Sequence, residues 1–369
     1  MKIPLNDLRR GSIASGGISE AIIRVLESGY WIHGTEHKLF QEELAQYLGS
    51  SQVMGVANGT DALEIALRAV GCIKGSKIIT VANAGGYTSI AAASIGCEVI
   101  YCDVDPKFLL IDPQCLEPLL SEEITAVVVT HLYGNVAPVN EIKTLCDKYG
   151  IKIIEDCAQA IGALVDETRA GSVGDIGTFS FYPTKNLGGI GDGGALATSS
   201  SEYAKNIIQI RQYGWASKYE IQTPGGMNSR LDEIQAAVLR LGLKNIDALN
   251  MKRREIVSKY FEALGESKIR LITSSKDEAV AHLAVLLIPE EMRREDFSVY
   301  MTKMEIQTDI HYPILDCDQN GLKQSSSSPE LPVSRDASRR IISIPLFPEL
   351  TPKEVSRICR ALSEYRNEA

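Results

Sequence analysis

The stretch "AVVVTHLYGNVAPVNEIKTLCDKYGIKIIED", residues 126–156, decides the fold. It opens on an apolar run (126–132), crosses a helical pattern at 139–149 and closes on a second apolar run (151–156). Each run is short, almost continuously apolar and bounded by polar or small residues. That texture suits strands buried on both faces, as in a parallel sheet. The same alternation comes earlier. "KIITVA" (77–82) and "EVIYCDV" (98–104) read as strands, and 87–95 and 113–120 read as helices. The pattern predicts an α/β sheet covered on both sides.

Further out, "SEAIIRVLESG" (19–29) is amphipathic and stops on a glycine. "TEHKLFQEELAQYLG" (35–49) repeats the pattern, with Thr35 as the expected N-cap. After "GTFSFY" (177–182) and "GALATS" (194–199) the texture changes. Residues 230–265 form one long helical pattern, with a break expected near Gly242. A mixed region follows, with "HLAVLLIP" (282–289) as a strand and helices at 294–303 and 352–365. "KQSSSSPELP" (323–332) reads as a surface loop. We expect a large α/β domain over 1–245 and a small C-terminal α+β domain over 246–369.

The 369 residues are 44% hydrophobic, enough for a large core, and 23% charged, as in ordinary soluble domains. A net charge of −9 offers no basic surface for nucleic acid. No apolar run approaches the length of a membrane span. The opening residues lack the apolar stretch of a signal peptide. Eight scattered cysteines without a CxxC pair suit a reducing compartment, so a cytoplasmic location is expected. His33 and His37 are four apart, but spacing alone makes no metal site, and none is expected.

Ligands of open α/β sheets sit at the carboxyl ends of strands. Three stretches fall there. In "VANGTDALEIAL", Asn58-Gly59-Thr60 opens a helix; its free amides would attract a phosphate, or the turn is simply capped by Thr60 or Asp61. In "IKIIEDCAQAIGA", Asp156 at a strand tip would face a cationic ligand nitrogen, or act as an N-cap. In "GTFSFYPTKNLGGIGDGG" (177–194), Lys185 stands among small residues. It is either a surface lysine or a desolvated nucleophile in a cleft. Taken together, a phosphate cradle, a strand-tip aspartate and a cleft lysine are the parts that hold pyridoxal phosphate.

These stretches also resemble the DegT/DnrJ/EryC1/StrS family of nucleotide-sugar aminotransferases, which are pyridoxal-phosphate (PLP) enzymes of fold type I. The resemblance covers nearly the whole chain. It runs through "SGYWIHGTEHKLFQEELAQYLG", "ANGTDAL", "EDCAQAIGA", "FSFYPTKNLGGIGDGGAL", "MNSRLDEIQAAVL", "IHYPI" and "IPLFPELTPKEV". It implies Lys185 as the Schiff-base lysine and proton shuttle, and Asp156 on the pyridine nitrogen. Gln159 would lie against the ring or its phenolic oxygen. Gly59, Thr60 and Ser180 would hold the phosphate. Asn228 would reach the phosphate of a neighbouring subunit in a homodimer with shared sites. Arg230, His311 and Tyr312 would lie near the nucleotide-sugar.

Two departures stand out. Gly85 and Gly86 stand where the family carries its ring-stacking aromatic, so either Tyr87 takes over the stacking through a shifted loop, the reading preferred here, or the ring packs on backbone. Asp316 and Cys317 fall where many members carry a histidine, so a different sugar pocket is expected. Asp103 and Asp105 read as turn and cap residues. His131 reads equally as a cofactor neighbour or a structural histidine, and Tyr30 and Trp31 as pocket or packing residues. The resemblance implies transfer of an amino group from glutamate to a dTDP- or UDP-linked keto sugar, by way of pyridoxamine phosphate. A keto-sugar dehydratase of the same fold carries histidine where this chain has Lys185. A non-catalytic sensor would have lost Lys185 or Asp156.

Overall fold

The computed structural model describes residues 2–322, 326, 327 and 330–368; the rest of the serine-rich stretch lies outside the described residues. Helices α1 (Leu8–Ser15), α2 (Ile18–Ser28) and α3 (Thr35–Leu48) lead into β1 (Gln52–Val56). Alternation then sets in with α4 (Gly59–Ala69), β2 (Lys77–Val81), α5 (Tyr87–Ile95), β3 (Glu98–Cys102) and α6 (Pro113–Leu116). It continues with β4 (Ile124–Thr130), α7 (Val139–Asp147) and β5 (Lys152–Asp156). A hairpin of β6 (Leu164–Val165) and β7 (Thr168–Arg169) precedes β8 (Ile176–Ser180), β9 (Gly194–Thr198) and α8 (Ser201–Ile210). A second hairpin, β10 (Trp215–Ser217) and β11 (Glu220–Ile221), precedes α9 (Glu233–Leu243) and α10 (Ile246–Leu264). The chain ends with β12 (Arg270–Leu271), β13 (Ala284–Leu287), α11 (Arg294–Lys303), β14 (Ser326–Ser327), α12 (Pro332–Arg340), β15 (Ile341–Ile344) and α13 (Pro352–Glu368).

Eight strands form the main sheet in the order β1-β9-β8-β5-β4-β2-β3-β14. All neighbours are parallel except β9, which runs against both β8 and β1. Successive residues of one strand enter opposite cores. Ile79, Val127, Val129 and Ile153 pack on one face, and Ile78, Val128, Ile154 and Ile176 on the other. This two-sided burial is why the strands read as unbroken apolar runs. A third core joins Val257 and Tyr260 of α10 to Leu286, Ile342 and Ile344 of the three-stranded sheet β12-β13-β15. Ile3 also sits in that core, paired with Ile306, while Ile246 at the start of α10 belongs to the first.

One local expectation changes and another is sharpened. Gly34, not Thr35, occupies the N-cap of α3. The Glu233 carboxylate does the capping from a distance, accepting the amides of Gly34 (2.7 Å), Glu36 (2.9 Å) and His37 (2.9 Å). A Cβ at position 34 would lie 2.8 Å from that carboxylate, so any larger residue there would have to push the capping group aside. The long helical pattern breaks at 244–245, and Gly242 stays helical. There a Cβ would come within 2.8 Å of the Leu187 side chain, so Gly242 serves close packing. Among the described residues no helix is long and apolar enough to cross a membrane.

Candidate active site

The register of the sheet assembles the site. Val56 of β1 and Ser180 of β8 both lie opposite Gly194, at the carboxyl ends of their strands. Asp156, ending β5, pairs with Thr178 on one side and Thr130 on the other. The turn after β1 presses directly on this edge. A Cβ on Gly59 would lie 2.7 Å from the Ser180 Cβ, and one on Gly194 would lie 2.4 Å from the Asn58 carbonyl oxygen. Asn58 Oδ1 accepts the Asp61 amide at 2.8 Å, so Asn58 caps α4 rather than Thr60 or Asp61. The amides of Gly59 and Thr60 keep no partner among the described residues, as at any helix start open to an anion.

A cavity of about 600 Å³ opens over this edge. Gly59, Thr60, Asp156, Ser180 and Lys185 line it, together with Tyr87, His311 and Tyr312. One oxygen of the buried Asp156 accepts the Ala158 amide at 3.0 Å. Burial raises its pKa, against the pull of that amide and of Lys185. Asp156 thus serves a local turn and also borders the cavity. Lys185 makes no side-chain hydrogen bond or ion pair with the described residues. Desolvation lowers its pKa from 10.5 to about 8, with the charge of Asp156 opposing. The neutral, nucleophilic amine therefore gains population as pH rises through 8. We expect the rate at which the apoprotein takes up pyridoxal phosphate to climb with a midpoint near pH 8. A midpoint near 10.5 would mean that the amine stands in water.

Tyr312 builds one wall. Its ring lies against Gly85, where a Cβ would meet it at 2.4 Å, and meets Tyr87 edge-on with centroids 6.3 Å apart. Tyr87 and Tyr312 thus border the cavity as a pair of rings. Gln159 does not line the cavity. Its Oε1 accepts the Tyr133 amide (2.7 Å) and its Nε2 donates to the Tyr312 hydroxyl (2.8 Å). His311 lines the cavity and is kept neutral by desolvation, with Nδ1 2.8 Å from Ser343 Oγ. Asn228 and Arg230 lie outside the cavity. Asn228 is exposed and bridged to Gln212, and Arg230 lies over the Tyr213 ring at 5.7 Å. Tyr30 and Trp31 are exposed and line no part of it.

Asp316 does not shape the cavity as expected. It is buried, its Oδ2 accepts the Ser89 hydroxyl at 2.7 Å, and its amide donates to the Ala82 carbonyl. Burial lifts its pKa to about 6. It ties the segment after Tyr312 to the start of α5. Asp105 accepts three amides of its own turn, and Asp103 caps α12 through Val333 and Ser334. His131 is structural: Nδ1 accepts the Ala137 amide (3.1 Å) and Nε2 donates to Glu155 (3.1 Å). His131, Glu155 and Cys157 lie close enough to resemble a metal site. His131 and Glu155 spend their ring and carboxylate atoms on each other and on backbone amides, and burial raises the Cys157 thiol well above its usual pKa. Sequence reasoning missed Leu5, Asn6 and His282 in the cavity lining. His282 precedes an apolar strand and carried no motif.

The site has the features that pyridoxal phosphate requires: a desolvated lysine, a buried carboxylate, and open amides where no side chain would fit at Gly59. Fold and site together define a pyridoxal-phosphate-dependent enzyme of fold type I. Residues 14–363 match the DegT/DnrJ/EryC1/StrS aminotransferase family, and the chain belongs to it. It is 38% identical over 365 residues to the dTDP-3-amino-3,6-dideoxy-alpha-D-galactopyranose transaminase of Aneurinibacillus thermoaerophilus, covering 98% of this chain and 99% of that one. Its structure is similar to S. venezuelae DesV in complex with a ketimine intermediate, with a TM-score of 0.94, 32% identity, and 100% and 99% of the two chains covered. It is also similar to NtdA of Bacillus subtilis with bound cofactor PMP, with a TM-score of 0.90, 30% identity, and 99% and 85% covered. The protein is an aminotransferase.

Proposed function

We propose that this aminotransferase moves an amino group from glutamate to a keto sugar linked to a nucleoside diphosphate, dTDP first among the candidates. The observation that carries the reading is the shared cavity of Lys185, Asp156 and the Gly59–Thr60 amides. The 38% identical relative, named for a dTDP-amino sugar, supports the substrate class. Bound there, the cofactor supplies the electron sink and carries the amino group. Gly59, Thr60 and Ser180 would hold its phosphate, and Asp156 would keep its ring nitrogen protonated. Lys185 would shuttle the proton in each half-reaction, which calls for an amine that is readily neutral. Tyr87 and Tyr312 would flank the ring, with Gln159 holding Tyr312 in place. His311 and Tyr312 border the space left for the sugar. Asn228 and Arg230, outside the single chain's cavity, would serve the site of a second subunit in a homodimer.

A panel of dTDP- and UDP-linked keto sugars with glutamate, read by mass spectrometry, tests this. An aminated dTDP-sugar, formed with one 2-oxoglutarate per turnover, is the expected product. Amination of none of the panel would overturn the substrate class. Loss of water from the sugar without amination would make the enzyme a dehydratase.

A further inference from the structure

A second cavity, of about 400 Å³, lies beside the catalytic one. Asn6, Thr184 and Lys185 line both, so the start of the lysine loop is part of the wall between them. The other walls are largely apolar: Leu8 and Ile18 from the first two helices, then Leu187, Val238, Leu249 and Phe347. Besides Lys185, the charged groups on this surface are Asp7, Arg9, Arg253 and Glu349. Asp7 is spent on the Arg9 amide and on the side chains of Arg9 and Arg10. The Arg9 side chain stands almost wholly in water.

Arg253 lacks a counterpart. It is only 5% exposed. Its Nη1 donates to the carbonyls of His282 (3.2 Å) and Leu346 (3.1 Å). Nε and Nη2 have no partner among the described residues, and no ion pair with them reaches the guanidinium. Nε is sealed inside the protein, which leaves Nη2 as the nitrogen able to meet an occupant. Desolvation lowers the pKa of Arg253 from 12.5 to about 10, with Glu349 opposing, so it remains a cation at neutral pH. A buried cation is costly unless an anion meets it. Glu349 acts on Arg253 only through space, and its carboxylate makes no hydrogen bond or ion pair with the described residues.

An occupant of this cavity must offer an anion to Arg253, a cation to Glu349 and apolar bulk to the walls. An α-amino acid with an apolar side chain offers all three and fits the volume. Glutamate would set its second carboxylate against apolar walls, at a desolvation cost. We propose that this cavity is a second amino-acid site, which takes an apolar α-amino acid with its carboxylate on Arg253 and its ammonium on Glu349. The occupant would bear on the lysine loop from outside the catalytic cavity. The proposal stands on this cavity alone, whichever substrate the enzyme aminates.

Equilibrium dialysis of the cofactor-loaded enzyme, reduced with borohydride so that it does not transaminate, tests it with L-leucine and L-phenylalanine as probes. At least one should bind, at one per chain. Isocaproate lacks the ammonium of leucine, and leucinamide lacks its carboxylate. Each should bind at least about tenfold more weakly than leucine, the scale of one hydrogen bond to a charged group. Glu349→Gln should weaken leucine by a similar factor and leave isocaproate unchanged. Val238→Trp fills the cavity without touching the carbonyls that hold Arg253, and should abolish binding; circular dichroism checks that it folds. No binding of either probe at millimolar concentration would overturn the proposal. So would leucine binding that is unchanged in Glu349→Gln or in folded Val238→Trp, which would seat the amino acid elsewhere.

Discussion

Lys185→Ala loses at least about 10³-fold in turnover while still binding pyridoxamine phosphate. The loss combines two roles, nucleophile and proton carrier, either of which alone is worth orders of magnitude. Binding survives because the groups proposed for the phosphate are the Gly59 and Thr60 amides and Ser180, and the alanine touches none of them. Asp156 also remains, although it loses the cation that opposes its burial. Steady-state kinetics and a titration with pyridoxamine phosphate check both halves. Turnover within tenfold of wild type would remove Lys185 from the chemistry. Loss of pyridoxamine phosphate binding would make the lysine part of the cradle.

Glu155→Ala costs about 3–5 kcal/mol of folding stability, the scale for stripping a buried charge network of one partner. Glu155 is fully buried one residue before Asp156. Oε1 accepts the amides of Val173 (2.8 Å) and Gly174 (2.7 Å); Oε2 accepts the Gly171 amide (2.9 Å) and His131 Nε2 (3.1 Å). Alanine would strand four donors away from water. Desolvation pushes the Glu155 pKa up, but His131 and the amides outweigh it, and the net shift is downward. With a depressed folded-state pKa, its stabilisation is present above the unfolded value. It is lost as pH falls through the folded one. Urea unfolding at neutral pH and at pH 4 measures both effects. A cost below 1 kcal/mol in the alanine variant would mean that the segment after β7 folds onto β5 without this carboxylate.

The sheet and the core of the site were legible because their signals are local. A strand buried on both faces announces itself in five or six residues, and Asp156 at the end of β5, Gly59 opening α4 and Lys185 in the loop after β8 each lie within a short, distinctive stretch. What stayed hidden was built from residues far apart in sequence. The capping of α3 by Glu233 spans nearly two hundred positions, and a glycine followed by threonine gave Thr35 the better local claim. The support of Tyr312 by Gln159 spans the two halves of the chain. Asp316 looked like a pocket residue because its position matched one, yet its side chain turns to Ser89 and into the interior. His282 had no local mark, because the side chains that hold its ring, Asn186 and behind it Asn250, reach it only through the fold.

The most direct test of the central claim is to reduce the cofactor-loaded protein with borohydride, digest it and map the modified peptide by mass spectrometry. The account predicts one pyridoxyl adduct per chain, on Lys185. An adduct on any other lysine, or a cofactor that washes away unreduced, would contradict it.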